Sequence, residues 1–224
     1  MSVLIIAAHP DDEALGCGGT IARLAAAGKT VDILFVCDGV SARPTTDRQG
    51  ALSERRKAAG DAAAILGARG PRFLDLPDNQ LDRVPLLSLV QALEEAIDSL
   101  MPQTIYTHHL GDLNIDHRIT AQAVMTACRP LDSSPIREIF SFEVLSSTEW
   151  QAPMPSLAFV PNRFVDIDGF LETKLKALKP YDTEMRAFPH PRSPEAVTAL
   201  ATLRGAASGL YRAEAFVTLR IIVA

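Results

Sequence analysis

Two short stretches of this 224-residue chain concentrate the side chains able to do chemistry. The first reads His9-Pro10-Asp11-Asp12-Glu13. The second reads His108-His109-Leu110-Gly111-Asp112-Leu113-Asn114-Ile115-Asp116-His117-Arg118, and four of the five histidines fall in these two places. An imidazole and a carboxylate three positions apart on a tight turn can face one ion, and the second stretch is the obvious supplier of a third ligand. Two nitrogens and one oxygen, with a fourth position open, describe a catalytic zinc site rather than a closed structural one. For either stretch alone the competing reading is helix capping, by Asp11, Asp12 and Glu13 or by His117. The concentration of histidine favours the metal. Gly16-Cys17-Gly18-Gly19 has the look of a nucleotide-binding turn. However, three acidic residues would crowd the place where a pyrophosphate meets a helix N-terminus.

The two stretches need a scaffold that brings them together, and the patterning of the chain supplies one. Short apolar, β-branched runs at 3–8, 31–37, 72–76, 104–108 and 139–144 read as strands. Helical patterns alternate with them: 18–27 stopped by Gly28, 54–66 stopped by Gly67, 85–100, and 117–128 halted before Pro130. Leu86, Leu89, Val90, Leu93 and Ile97 give the third of these an apolar face. The rhythm predicts an α/β fold, Rossmann-like and doubly wound, with a mostly parallel sheet and helices on both faces. The last third is less regular, with a strand at 164–167, helices at 169–178 and from Ser193-Pro194 to about 205, and a strand at 216–223. No repeat or linker interrupts the chain, so residues 1–224 read as a single domain. In open sheets of this kind ligands bind outside the carboxyl ends of the strands. The two chemical stretches directly follow the first and fourth strands.

Composition narrows the function classes. Twenty-two Lys and Arg against 27 Asp and Glu leave a net charge of −5, which argues against nucleic acid or an anionic membrane as partner. No run approaches the ~18 apolar residues of a membrane span, and residues 1–9 lack the basic start of a signal peptide. Three cysteines without a C-x-x-C pair fit a reduced cytoplasm. A chain of this mass should fold to a surface of ~10,000 Å², burying roughly 70% of its extended surface.

At Ala8-His9-Pro10-Asp11-Asp12-Glu13 and Asp116-His117 the sequence resembles the PIG-L/LmbE-type zinc de-N-acetylases. Pro189-His190-Pro191-Arg192-Ser193 and Ala213-Glu214-Ala215-Phe216 extend the likeness into the tail. The resemblance implies one Zn²⁺ held by His9, Asp12 and His117, with Asp11 as general base. It implies removal of the acetyl group from an N-acetylated amino sugar or sugar conjugate of the N-acetylglucosamine kind. It also implies substrate contacts from Arg55 and Asp78, and self-association into a homo-oligomer. The chain departs from the better-known members in carrying Asn114 where they have a histidine. An amide can donate to an oxyanion but cannot deliver a proton near neutral pH. The acid must then come from His190, His109 or Asp11 itself after taking the proton of water, and recycling through Asp11 with His190 or His109 assisting is the favoured route.

Arg192, beside His190, reads either as an anion contact or as the partner of an acid. Asp116 reads as an orienting carboxylate or a helix cap, and Glu13 as structural. Trp150 reads as a sugar-stacking or packing aromatic. An amidase for another acylated amine, a catalytically silent metal binder and a metal-independent nucleotide-binding module are the rival functions.

Overall fold

The computed structural model describes residues 2–42, 44–132 and 134–223. The expected scaffold is present. Five parallel strands, β1 (Ser2–Ala7), β2 (Thr30–Cys37), β3 (Arg72–Leu76), β4 (Thr104–His108) and β5 (Glu138–Phe142), lie in the order β3-β2-β1-β4-β5. Two further strands, β6 (Arg163–Asp166) and β7 (Ala213–Ile221), extend the sheet beyond β5, with β7 antiparallel to both neighbours. Strand order reverses between β1 and β4, and the crevice at their carboxyl ends is where such sheets bind ligands.

Residues of β1 alternate between two apolar cores, as a strand covered on both faces requires. Val3, Ile5 and Ala7 pack in the core beneath α1 (Asp12–Ala26), α2 (Arg48–Leu66) and α5 (Leu171–Leu178). Leu4 and Ile6 pack in the other core, beneath α3 (Leu86–Leu100) and α4 (Ile115–Ala127). A last helix, α6 (Pro194–Ala206), packs on β7, β6 and α5. The accessible surface of 10280 Å² agrees with the size expectation.

Two helix starts need correction, and the simpler is α2, which begins at Arg48 on the Asp47 cap rather than at 54. The first helix begins at Asp12, not near Gly18, and it is broken at Cys17, whose φ of −145° and ψ of 24° are not helical. The glycine-rich stretch hides the first turn, so the pattern shows only the segment beyond the break. At the break the polar groups are satisfied by two distant side chains. Glu214 of β7 accepts from the Gly19 and Thr20 amides at 2.9 and 2.7 Å, which a continuous helix would bond four residues back. Lys174 of α5 donates to the Leu15 carbonyl at 2.8 Å and to Glu214 at 2.6 Å. Gly19 also allows the helix to lie against Ile167, since a Cβ there would come within 2.8 Å of that side chain.

Both members of this ion pair are buried, and removing one leaves a buried charge and an unmet backbone group. Replacing Glu214 with Gln, or Lys174 with Met, is therefore expected to cost about 3–5 kcal/mol of unfolding free energy in denaturant titration. The double replacement should cost less than the two singles added together.

Candidate active site

His9 leaves β1 on a turn whose amides are held by side chains of the same motif. Asp12 Oδ2 accepts from the His9 amide at 2.9 Å, and Glu13 Oε2 accepts from the Asp11 amide at 3.0 Å. Asp11 has a φ of 134°, a strained backbone for a residue with a side chain. The turn is further fixed from β4, where buried His108 accepts through Nε2 from the Ala8 amide at 2.7 Å. Burial and neighbouring His117 push His108 down to about 3, so its ring is neutral and, by this bond, protonated on Nδ1. The His108 ring lies stacked against His117 with centroids 3.9 Å apart.

His117 enters from the first turn of α4. Asn114 caps that helix, its Oδ1 accepting from the Asp116 amide at 2.8 Å and the His117 amide at 3.4 Å. His9, Asp12 and His117 thereby place ligand atoms within 4.8 Å of one another. Asp12 Oδ2 is 3.2 Å from His9 Nδ1 and 3.2 Å from His117 Nε2. His117 Nε2 and Asp12 Oδ1 are buried and have no hydrogen-bond partner among the described residues.

The nitrogens facing away from this point each meet a carboxylate. His9 Nε2 lies 3.0 Å from Asp116 and 3.1 Å from Asp78, and His117 Nδ1 lies 3.2 Å from Asp112. That is the usual way a protein fixes the tautomer of a metal-binding imidazole. Asp112 is itself held by Ser147 and Thr148, and Asp116 by the amides of Asn79 and Leu81. His9, Cys37 and Asp116 form a second close trio. There, however, the Cys37 thiol already donates to Asp116 at 3.3 Å and no ligand atom is orphaned. Asp116 therefore orients His9, and the cap it was weighed against is made by Asn114.

Electrostatics favour a cation at the first trio. Burial alone would raise Asp12, yet the charge of His117 and the hydrogen bonds of His117 and His9 hold it well below its ordinary value. Burial likewise opposes a charged His117, but Asp12 and Asp112 lift it to about 9. The carboxylates of Asp116, Asp12 and Asp78 lift His9 well above its ordinary value against the same burial. The carboxylates thus draw protons onto rings that a divalent ion would otherwise engage. The donor set and the orphaned atoms fit such an ion.

A cavity of about 100 Å³ opens beside the trio, and its lining includes His9, Asp11, Arg55, Asp78, Asn114 and Arg192. Arg192 Nη1 donates to Asp11 Oδ2 at 2.8 Å, whereas Asp11 Oδ1 is buried with no partner among the described residues. Burial pushes Asp11 up to about 6, with Arg192 opposing it. Arg55 donates to the Pro10 carbonyl at 3.2 Å and to Glu184. Gly39 and Arg55 also border a larger cleft of about 280 Å³, reaching Ala51, Glu54 and Tyr181.

Three residues singled out in the sequence stand elsewhere. His109 is turned to the Leu157 carbonyl at 3.0 Å and is not among the residues lining the cavity. His190 accepts from the Arg192 amide at 3.1 Å and meets the edge of Trp150. Trp150 is 52% exposed, so it is not a buried packing residue. Glu13 accepts from the Tyr181 hydroxyl at 2.7 Å and is structural, as expected. Sequence reasoning passed over His108, Asp112 and Glu184. The first two lie inside the second stretch, and their position before and within the turn was the available signal. Nothing in the sequence around Glu184 marks it.

Comparison with known proteins places this geometry. The family model PIG-L, described as GlcNAc-PI de-N-acetylase, matches residues 4–128, which contain both stretches. The uncharacterized deacetylase YaiS of Escherichia coli K12 is 32% identical over 79% of this chain and 88% of its own. The diacetylchitobiose deacetylase of Thermococcus kodakarensis is 30% identical over 81% of this chain and 69% of its own. Among solved structures, the conserved protein TT1542 of Thermus thermophilus superposes with a TM-score of 0.78 at 27% identity, covering 99% of this chain and 96% of that one. GalB, the 4-carboxy-2-hydroxymuconate hydratase of Pseudomonas putida KT2440, shares the fold with a TM-score of 0.77 at 21% identity, covering 100% and 98%. The match of the family model over more than half the sequence, together with the identity to YaiS, means that this chain belongs to the PIG-L family.

Proposed function

We propose that the protein is a zinc-dependent amidohydrolase that removes the N-acetyl group from an N-acetylglucosamine-like amino sugar or its conjugate. The observation that carries this reading is a His-Asp-His trio with two unpartnered ligand atoms, Asp12 Oδ1 and His117 Nε2, next to Asp11, whose Oδ1 also has no partner among the described residues, with His9 and Asp11 lining one cavity. Sequence relatives named as deacetylases support it. The fold alone does not choose the reaction, because a hydratase shares it.

His9, Asp12 and His117 would hold the ion. Zinc in such a set lowers the pKa of water and takes up charge developing on a carbonyl oxygen. Asp11 removes the proton of the attacking water on Oδ1 while Arg192 keeps Oδ2 in place. The same carboxyl then returns the proton to the departing amine, so that acetate and a free amino group result. Asn114 lines the cavity with its Oδ1 committed to the α4 cap and one Nδ2 hydrogen directed to Asn79 Oδ1 at 3.4 Å, and its second Nδ2 hydrogen serves as an oxyanion donor. Arg55, Asp78 and Arg192 line the walls against the sugar. His190 assists by fixing the Arg192 backbone, while His109 is turned to the Leu157 carbonyl. The acetamido group fills the small cavity, and the adjoining 280 Å³ cleft has room for the remainder of a conjugate.

Three outcomes follow. Asp11→Asn should retain one metal per chain while losing about 10²–10⁴-fold in kcat; full turnover in a free-amine assay across acetylated sugars would remove Asp11 from its role. His117→Ala should lose metal and activity together, which elemental analysis of the purified variant checks. Asp112→Asn should keep the ligands but weaken zinc affinity about 10–100-fold in a chelator competition.

A further inference from the structure

Glu184 comes from the segment that follows α5, far in sequence from both chemical stretches. Its side chain is buried, and its two oxygens divide between two arginines: Oε1 accepts from Arg55 Nη2, and Oε2 from Arg192 Nη1 at 3.3 Å. Each arginine continues inward to the same turn. Arg55 Nη1 reaches the Pro10 carbonyl at 3.2 Å, and Arg192 Nη1 reaches Asp11 Oδ2 at 2.8 Å. An ion pair serving only to neutralise a buried charge needs one arginine. Here both run on to consecutive residues, and the second of those is the one whose backbone is strained.

Strained backbone at a functional residue persists only where its surroundings over-determine it. Asp11 is held at its amide by Glu13, at the preceding carbonyl by Arg55 and at Oδ2 by Arg192. Two of these three restraints are long, flexible guanidinium side chains, and Glu184 bridges them, meeting Arg55 at Nη2 and Arg192 at the same Nη1 that holds Asp11. We infer that Glu184 is a positioning residue: through Arg55 and Arg192 it holds the Asp11 turn so that one carboxylate oxygen is tied and the other is left for the reaction. Without that link Arg192 keeps its bond from Nε to Ser146 Oγ at 2.7 Å but is no longer braced against Arg55, and Asp11 loses part of the fixed geometry that proton transfer requires. The inference rests on the reading of Asp11 as the base.

A double-mutant cycle on the full, zinc-loaded chain tests it, using Glu184→Gln, Asp11→Asn and both together. In the wild-type background Glu184→Gln is expected to lower kcat about 10–100-fold with metal content unchanged. In the Asp11→Asn background the same substitution should change kcat by less than about twofold, because the group it positions is gone. An equal loss in both backgrounds, or loss of metal from Glu184→Gln, overturns the proposal. Denaturant midpoints of the four proteins give a readout independent of turnover. The shifts should be non-additive, since both carboxylates meet the same Arg192 nitrogen, and additive shifts overturn the link. If the wild-type chain hydrolyses no acetamide, the reaction assigned to Asp11 falls, and the unfolding cycle alone decides whether Glu184 acts on that turn.

Discussion

The site depends on buried negative charge that the protein alone does not fully answer. Asp12 lies at the meeting of two imidazoles, with one oxygen unpartnered, and Asp112, Asp116 and Asp78 press on the far sides of the same rings. Burying a carboxylate is costly unless a cation or hydrogen bonds meet it. Every neighbouring feature serves that constraint. His108 is kept neutral so that it adds no charge of its own, the amides of the first motif close on Asp12 and Glu13, and Asn114 sets the pitch of α4 so that His117 arrives from the opposite side.

The doubly wound sheet makes this possible at low contact cost. β1 and β4 are neighbours at the reversal of strand order, so residues a hundred positions apart leave adjacent strands at the same edge. The Ala8 amide bonded to His108 is the point where the two exits are tied together. The rigid part of the site therefore sits on strand ends and first helical turns, whereas Arg192 and Glu184 come from the later, less regular part of the chain.

That division explains what could be read from sequence. The parallel strands announce themselves as continuous apolar runs because both faces are buried, and the candidate metal-holding trio falls on two motifs with ligand types at recognisable spacing. The beginning of α1 was not legible because its continuity is supplied by Glu214 and Lys174 rather than by local pattern. Arg192 was visible as a charged residue beside His190, but its attachment to Asp11 is a tertiary fact. Glu184 carries no local signature at all, since its meaning lies in two arginines from other elements. His109 had the right residue type and a neighbouring position, yet successive side chains leaving a strand diverge, and its ring turns to a backbone carbonyl instead.

The brace at Cys17 also bears on the order in which the molecule can assemble. Gly19 and Thr20 find a side-chain acceptor in Glu214, a residue of the final strand, while the helix they belong to opens with the first motif. A chain emerging amino end first has the break in α1 long before the carboxylate that braces it. The break in α1 is thus among the earliest parts synthesised, yet it meets its side-chain acceptor when β7, the last strand of the chain, joins the sheet.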